Sequence, residues 1–572
     1  MDVFFEVSGY LSILLSGLAL AAQSVVMGGI AFLLLAACPL VPALGNAGAG
    51  IVLASRRLLA WSGLFLGLLG PARIALQLVI LLGTTSVPLG QALMGGFVIA
   101  WALQASAGVV VFLLAWPNRR ILSPGLLLIP AAAILAGTLA TSHAAGRLDN
   151  ATALFALTAL HALGAAVWIG GLPFLLIGLS RLRCGHAIGL LGRRYSALSI
   201  AGVAAILGSG VTLGVFYIGS LESVYGTAYG LMTGVKAALL GMLLLLGAAN
   251  FLTARGLRAD PGLPTLRFRR FVEAEIGIGL TVFFAAASLT SVPPGIDLPD
   301  DRVTMTEIVQ RVWPVSPRFE SPDHASLALV ALQDRLDAEA ARTASIASRA
   351  FVPGTGVLPA RNAQDVAWSE YNHNWAGLLV LGMGLLALAE RAGWRPGRHW
   401  PLLLLAMAAF LFIRSDPEVW PLGPIGFFES LRDAEVVQHR AYVLVIVVFG
   451  VFEWLVRTGR LRRPGAGSVF PIMCAFGGAL LLTHAHAISN VKEALLIEIS
   501  HAGIGLFGVA AGWSRWVDLR VPGPAGRLAS WFWPVCFVVI GLLLVGYRET
   551  SIVTQASAPL PHGIQGTVAL PA

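Results

Sequence analysis

Long apolar runs separated by short polar stretches make up most of this chain. A helix needs about 20 mostly apolar residues to cross a lipid bilayer. By that measure the sequence predicts about fourteen spans, near residues 9–36, 58–82, 97–116, 122–143, 152–180, 196–219, 230–253, 271–291, 374–390, 400–413, 441–456, 468–486, 493–513 and 529–546. Only 12% of the 572 residues are charged, well below the roughly 25% of a soluble domain. We therefore predict an all-α fold, a polytopic transmembrane helix bundle that has the lipid bilayer as its main partner.

Basic residues fall in alternate loops between the predicted spans. Arginines cluster in seven of these loops, at 56–57, 119–120, 181–194, 255–270, 391–398, 457–463 and 515–527. Cytoplasmic loops carry such an excess of Lys and Arg, so we predict that both termini lie outside, N-out and C-out. The arginines of these loops account for the net charge of +9. Because the loops explain this charge, we expect no nucleic-acid partner.

The spans divide the chain into four parts. Residues 1–291 are predicted to form a membrane domain of about eight helices, and residues 369–546 a second membrane block of about six. Residues 292–368 between them are polar and contain several prolines, which predicts an extracytoplasmic segment. Residues 547–572 are predicted to be an extracytoplasmic tail.

One arrangement of histidines occurs twice. An apolar run ends in a histidine, a polar loop follows, and the next run carries another histidine. The first copy holds His143 and His161, and the second holds His484, His486 and His501. Ionisable side chains inside a bilayer are costly and usually functional, and imidazole binds copper, iron, zinc and nickel. We predict that these five histidines are metal ligands that open toward the outer face.

Two further histidines fall at the same predicted face. His373 precedes the ninth span within a polar and aromatic cluster that includes Glu370, and His439 stands at the start of the eleventh. Capping residues of an interfacial aromatic belt are the alternative for this cluster. We add His373 and His439 to the predicted ligands, and we expect Glu370 to support them.

Two residues on the predicted helices are expected to hold ligands in place. Glu498 lies three residues before His501, on the same helix face, and a carboxylate there can fix the ring, bind the metal or pair with a basic side chain. Trp168 lies seven residues after His161 and continues its face. The glycine pairs Gly210–Gly214 and Gly508–Gly512 are typical of close helix packing.

The sequence carries no signature of hydrolysis or ATP use. It contains no nucleophile elbow, phosphate loop or His-Glu-x-x-His motif. We therefore expect that the protein is not an enzyme and that a gradient drives any transport. Two identities of the ligand stay open, a bare metal ion or haem b held by two histidines of facing helices in an electron-transfer protein.

Several phrases of the sequence resemble the copper resistance protein D (CopD) family. They are Gly137 to His143, Leu160 through Trp168 to Gly171, Tyr229–Gly230, Lys236 and residues 291–294. Residues 369–520 resemble the additional membrane block of longer, fused members, so the resemblance implies that residues 1–291 are the CopD-like domain. It also implies an inner-membrane protein of copper homeostasis, which moves copper ions and cooperates with a periplasmic copper-binding protein. A copper-delivery partner that does not transport is the alternative.

Overall fold

The computed structural model describes residues 2–117, 124–299, 302–322, 337–338, 341, 363–416, 419–483 and 492–549. Its α-helices are α1 (Asp2–Phe32), α2 (Cys38–Thr84), α3 (Leu89–Leu93), α4 (Gly96–Ala115), α5 (Leu128–Ala140), α6 (Ala151–Ala165), α7 (Leu172–Arg181), α8 (Gly185–Ile218), α9 (Leu221–Gly226), α10 (Ala228–Ala259), α11 (Leu266–Thr290), α12 (Met305–Val312), α13 (Ala363–Arg391), α14 (Leu402–Arg414), α15 (Phe427–Ser430), α16 (Ala434–Arg457), α17 (Val469–Thr483), α18 (Lys492–Arg520) and α19 (Pro524–Val545). The described residues otherwise contain short helical turns and one isolated bridge. The predicted all-α fold is confirmed.

Eleven of the described helical segments are long and apolar enough to cross a membrane. The first of these segments runs from Ser8 to Thr84 and turns at Gly45, where a φ of +54° interrupts the helix. Two shorter apolar helices, Pro124–Ala140 and Leu402–Arg414, lie where spans are also predicted. The chain is therefore a multi-pass membrane protein, whereas the number of fourteen spans and the N-out, C-out orientation stay predictions.

Close backbone contacts hold together the first block, which comprises α1 to α11. Helix α1 lies against the π-helix Ala166–Gly170, where a Cβ at Gly28 would come within 2.1 Å of Ala166 O, and one at Gly170 within 2.0 Å of Ser24 O. Lipid tails are as apolar as leucine, so membrane helices associate through such close packing. Glycine at both positions therefore fixes the segment that follows α6 against α1.

Ion pairs join three helices of the second block, which comprises α13 to α19. Arg391 of α13 binds Asp518 of α18 at 2.7 Å, and Arg457 of α16 binds Glu390 of α13 at 2.9 Å. The side chains of Asp518 and Arg457 are only 10% and 7% exposed, and breaking such a buried pair is strongly destabilising. These contacts fasten the ends of α13 and α18 on one side of the membrane.

The two blocks pack against each other along α11 and α18. The ring of Trp513 lies directly on Gly277, and Trp516 Nε1 donates to Glu273 Oε2 at 2.9 Å. Nearer the start of α18, Leu495 and Leu496 share a buried cluster with residues of α6, α8, α10 and α11. We call the end of the bundle at which this cluster lies the histidine end, because His143 lies there.

Part of the polar segment between the blocks runs over the histidine end. Val303 N donates to Gly226 O of the first block at 3.0 Å. Farther along, Arg318 N donates to Asn374 Oδ1 of α13 at 2.7 Å. Residues 302–322 thus contact both blocks, and they bring a basic side chain to the start of α13.

Candidate functional site

Two of the predicted histidines meet in the second block. The ring centroids of His373 on α13 and His501 on α18 are 5.9 Å apart, with the ring planes at 85°. The phenol ring of Tyr547, which follows α19, stacks on His373 at 4.0 Å and lies edge-on to His501 at 5.8 Å. We call these three rings the second-block cluster, to which three parts of the chain contribute one ring each.

Hydrogen bonds fix the tautomer of both imidazoles. Nδ1 of His373 lies 2.8 Å from Ser369 O, and Nδ1 of His501 lies 2.9 Å from Ile497 O. A carbonyl oxygen only accepts, so each Nδ1 carries the proton. Each Nε2 then keeps the lone pair with which a neutral imidazole binds a metal ion. In both helices the carbonyl one turn earlier accepts the Nδ1 proton and so directs metal binding to Nε2.

Two buried carboxylates fix the segment that carries Tyr547. Oε1 of Glu549 accepts hydrogen bonds from the hydroxyls of Tyr547, at 2.8 Å, and Ser369. Glu370 accepts from the backbone N of Glu549 at 2.9 Å and from Arg318 Nε at 3.3 Å. Glu370, which the sequence marks as a supporting residue, therefore contacts the second-block cluster through the residues around Tyr547.

His161 lies on α6 of the first block and faces α8. Its Nδ1 is 3.1 Å from Ser209 Oγ, which is itself 2.5 Å from Ala205 O. Because the hydroxyl donates to that carbonyl, it accepts the proton of His161 Nδ1, and His161 Nε2 keeps its lone pair. A Cβ at Gly210 would lie 3.3 Å from His161 Cε1, so this glycine makes room for the ring.

His143 lies at the histidine end between two tyrosines. The ring centroids of Tyr217 and Tyr229 are each 5.9 Å from that of His143. The imidazole lies close to the backbone of Leu289, and its Nε2 is buried with no hydrogen-bond partner among the residues that the structure describes. A buried acceptor without a donor is uncommon, and a metal ion or water would satisfy it.

The surroundings of His143 keep it neutral. Burial lowers the pKa of His143 below its usual value of 6.5, and the charges of Arg147 and Lys236 lower it further. These effects outweigh the backbone of Leu289 and the charge of Asp297, which raise the pKa. His143 is therefore in the form that binds metal at neutral pH.

His439 pairs with a carboxylate on the hairpin of α14 and α16. Its Nδ1 lies 2.7 Å from Oδ1 of Asp416. Burial alone would raise the pKa of Asp416, but the hydrogen bond and charge of His439 outweigh it, and the pKa lies below its usual value of 3.8. The Asp416 carboxylate orients the imidazole of His439, as carboxylates do for histidines in many metal sites. No ring contact joins His439 to His373 or His501 in the described part of the chain.

Among the described residues, neither Glu498 nor Trp168 forms a hydrogen bond with a histidine. Glu498 is 3% exposed, and neither carboxyl oxygen has a hydrogen-bond partner among the described residues. Trp168 lies within the π-helix Ala166–Gly170, and its carbonyl accepts from Tyr195 Oη. The sequence places Trp168 on the face of His161 by assuming regular α-helical spacing. A π turn is wider than an α turn and changes that spacing.

The predicted ligands His484 and His486 lie outside the described residues. Within the described ranges, no three His, Cys, Asp or Glu side chains come close enough to form a metal site. Of the predicted ligands that are described, His373 and His501 form a ring pair, whereas His143, His161 and His439 contact other residues. A two-imidazole pair can bind a soft or borderline ion such as copper, with other ligands supplied by the solvent or the ion's carrier.

Residues of these sites that were not identified from the sequence include Ser209, Tyr547 and Glu549. Ser209 lies on α8, one residue before the glycine pair that begins with Gly210, and it resembles an ordinary small residue of a membrane helix. Tyr547 and Glu549 come directly after the last apolar run. Their position so soon after a span is the one feature of the sequence that could have identified Tyr547 and Glu549 as site residues.

Comparison with known proteins gives a family match over part of this bundle. Residues 190–289 match the family model described as copper resistance protein D, CopD. That stretch contains Ser209, Tyr217, Tyr229 and Lys236, which surround the first-block histidines, but not the histidines themselves. No solved structure matches the chain.

A curated relative gives a second match. Over 156 residues the chain is 35% identical to the copper transport protein CutJ of Bacillus subtilis (strain 168), which covers 27% of this chain and 28% of the relative. The match thus spans less than a third of either protein. The predicted resemblance to the CopD family is nevertheless confirmed, with the family match at residues 190–289.

Proposed function

We propose that this protein carries copper ions across the bacterial inner membrane and captures them at the histidine end. One observation carries the proposal: His373 and His501, on two neighbouring helices, lie 5.9 Å apart with Nδ1 of each bound to a carbonyl. Both Nε2 atoms therefore carry a lone pair that can bind an ion, and no free energy is needed to change the tautomer. The CopD family segment and the relative's name favour copper over other metals that imidazole binds.

The first-block histidines provide the next sites in this proposal. His161 lies about ten residues into α6, which is about 15 Å along the helix at 1.5 Å per residue. Its Nδ1 is bound to Ser209, and the side chain of Lys236 lies close enough to act electrostatically on it. An ion moving inward from His143 would meet His161 next. The positive charge of the nearby Lys236 would repel the ion and speed its release from His161.

Copper uptake into liposomes tests this function. The purified full chain is reconstituted, and metal inside the vesicles is measured by mass spectrometry. We expect His373→Ala combined with His501→Ala to lower initial uptake tenfold or more, since even residues that merely orient ligands contribute that much. His186→Ala is the matched control, because His186 is exposed at the start of α8, away from Tyr217 and the histidine end. Wild-type uptake by the double variant would refute the proposed site.

The same assay separates transport from delivery. A delivery partner would bind copper and hand it to a periplasmic copper-binding protein without moving it through the membrane. Copper that is bound by the reconstituted protein but never enters the vesicles would therefore favour delivery. Uptake in vesicles that contain no other protein would favour transport.

One observation keeps a second function open, a haem-binding electron-transfer protein. His373 and His501 come from facing helices and meet at one level, as the two axial ligands of a haem must. Tyr547 already packs on both imidazoles, and a porphyrin between them would displace it. A visible absorption spectrum of the purified protein decides, because a strong Soret band would support haem and refute the bare copper site.

A further inference from the structure

Glu498 differs from the other buried carboxylic acids that the structure describes. Five of these accept a hydrogen bond from a donor: Glu275 from Asn250, Glu370 from Arg318, Asp416 from His439, Glu453 from Arg457 and Glu549 from Tyr547. Glu498 is equally buried, at 3% exposed, yet both of its oxygens are buried without a hydrogen-bond partner within the described ranges. The described residues therefore supply no donor that would stabilise a negative charge on Glu498.

The position of Glu498 on α18 lies between the two blocks. Leu495 and Ile499, on either side of it, pack in the cluster that contains Tyr217 and Tyr229 of the first block. Ala502, one turn later, packs in a second cluster that spans both blocks. His501, three residues after Glu498, turns instead toward His373 and Tyr547. Glu498 thus lies where the first block meets the second-block cluster.

No charged side chain neutralises Glu498 in the described part of the chain. Ionisable residues on the elements packed around α18 and in the clusters beside Glu498 include Tyr10, His143, Tyr217, Tyr229, Lys236, Arg255, Arg258, Arg267, Arg269, Arg270, Glu273, Glu275, His373, Cys474, Arg527, Cys536 and Tyr547. None of them forms a hydrogen bond with the Glu498 carboxyl group. An ionised carboxylate in such a place is very costly, so the group requires a proton or a cation.

We propose that Glu498 is the proton site of the copper transport cycle, occupied by a proton while the His373–His501 pair is empty and vacated when a copper ion binds there. The inference rests on the proposed function, because it requires copper at His501. A positive ion less than one helical turn away stabilises the ionised carboxylate, and this attraction is strong where little water is present. For Cu(I) the exchange is balanced: one Cu(I) binds, the O–H bond of Glu498 breaks, and one proton leaves to water.

Proton release on copper binding tests the proposal without requiring transport. The full chain in lipid nanodiscs is titrated with the acetonitrile complex of Cu(I), under anaerobic conditions, in weakly buffered solution at about pH 7.5. At that pH ordinary histidines are neutral, so their binding to copper releases no proton. We expect wild-type protein to release about one proton for the copper ion that binds at the His373–His501 pair, and none for ions that bind at other histidines. Glu498→Gln should lose that proton and keep a copper affinity within about threefold of wild type.

Glu275→Gln is the matched control. Glu275 is also a buried carboxylic acid in a membrane helix, but it is bonded to Asn250 and lies in the first block, so its substitution should leave proton release unchanged. Equal proton release by wild type and Glu498→Gln, with copper still bound, would overturn the proton site alone. Loss of copper binding in Glu498→Gln, with a normal elution profile, would make Glu498 a copper ligand and would also overturn it. Wild-type protein that binds no copper would overturn both this inference and the proposed function.

Discussion

The phenol ring of Tyr547 lies nearly parallel to the imidazole of His373, with 4.0 Å between the ring centroids and 25° between the ring planes. The segment that carries Tyr547 is fixed by Glu549, which accepts from Ser369 on α13 and donates its backbone N–H to Glu370. Helix α13 thus positions both partners of the stack. The position of a metal-binding nitrogen therefore depends on residues that follow the last described helix.

Truncation of Tyr547 tests this dependence. We expect Tyr547→Ala to weaken copper binding tenfold or more, because the ring that packs on both imidazoles is lost. Tyr547→Phe keeps the stack and loses the hydrogen bond from the hydroxyl to Glu549, for which we expect affinity to fall about fivefold. A titration with a competing chelator measures both affinities. Equal affinities of the two variants would show that the stack does not position the ligands.

Ser209 is predicted to control the first-block site separately. Ser209→Ala removes the oxygen that accepts from His161 Nδ1, so the ring loses its fixed tautomer and orientation. We expect copper uptake to fall about tenfold, while copper affinity at the second-block cluster changes less than about twofold. Thr212→Val is the matched control, since the exposed Thr212 hydroxyl only bonds to Gly208 O of its own helix. Uptake by Ser209→Ala that equals uptake by this control would argue against a role for His161.

Helix positions could be predicted because the bilayer imposes one length and one composition on every span. Predicted spans 58–82 and 230–253, for example, fall within α2 and α10. The turn at Gly45 and the π-helices were not predicted, since they depend on contacts between helices. The glycine pairs show both outcomes. A Cβ at Gly512 would lie 2.5 Å from Ala475 N of α17, as close packing predicts, whereas Gly210 faces the His161 ring and Gly214 has nothing within 4 Å.

The residue types of the candidate sites could be predicted, but their partners could not. An ionisable side chain in an apolar run is energetically unfavourable, and this identifies His161 and His501 as individual candidates without indicating their partners. Sequence spacing relates residues within one or two turns of a helix, and it places His161 with Trp168 and His501 with Glu498. The structure instead pairs His501 with His373 and Tyr547, and His161 with Ser209. Such pairs form only when helices distant in sequence pack side by side.

His143 is expected to stay neutral in mildly acidic solution. Burial, Arg147 and Lys236 lower its pKa below 6.5, so fewer protons bind in the folded than in the unfolded state between these two pKa values. Its contribution to stability therefore falls as the pH drops from 6.5 through the folded pKa. Hydrogen–deuterium exchange at the imidazole carbon, followed by mass spectrometry, should give a midpoint below 6.5. Lys236→Met should raise that midpoint, and a midpoint unchanged by this substitution would contradict the charge effect.

Gly277→Ala is predicted to weaken the contact between the two blocks. A Cβ at Gly277 would lie 1.6 Å from Cζ2 and 2.2 Å from Cε2 of Trp513. The indole ring is rigid and large, so α11, α18 or the ring itself must move. Overpacking of this kind costs about 1–3 kcal/mol, and we expect a lower midpoint temperature of thermal unfolding in detergent. Gly241→Ala is the matched control in a membrane helix, because nothing lies within 4 Å of its Cβ position and alanine favours helix by about 1 kcal/mol.

A double-mutant cycle assigns this cost to the tryptophan ring. If Trp513 is the obstacle, Gly277→Ala costs less stability when Trp513 is already replaced by leucine, because the smaller, flexible side chain leaves room for the methyl group. Contacting residues show coupling of this kind, whereas distant sites add independently. Neither substitution removes a partner of the neighbouring hydrogen bond from Trp516 to Glu273. An equal cost of the alanine in both backgrounds would mean that the blocks do not meet at Gly277 and Trp513.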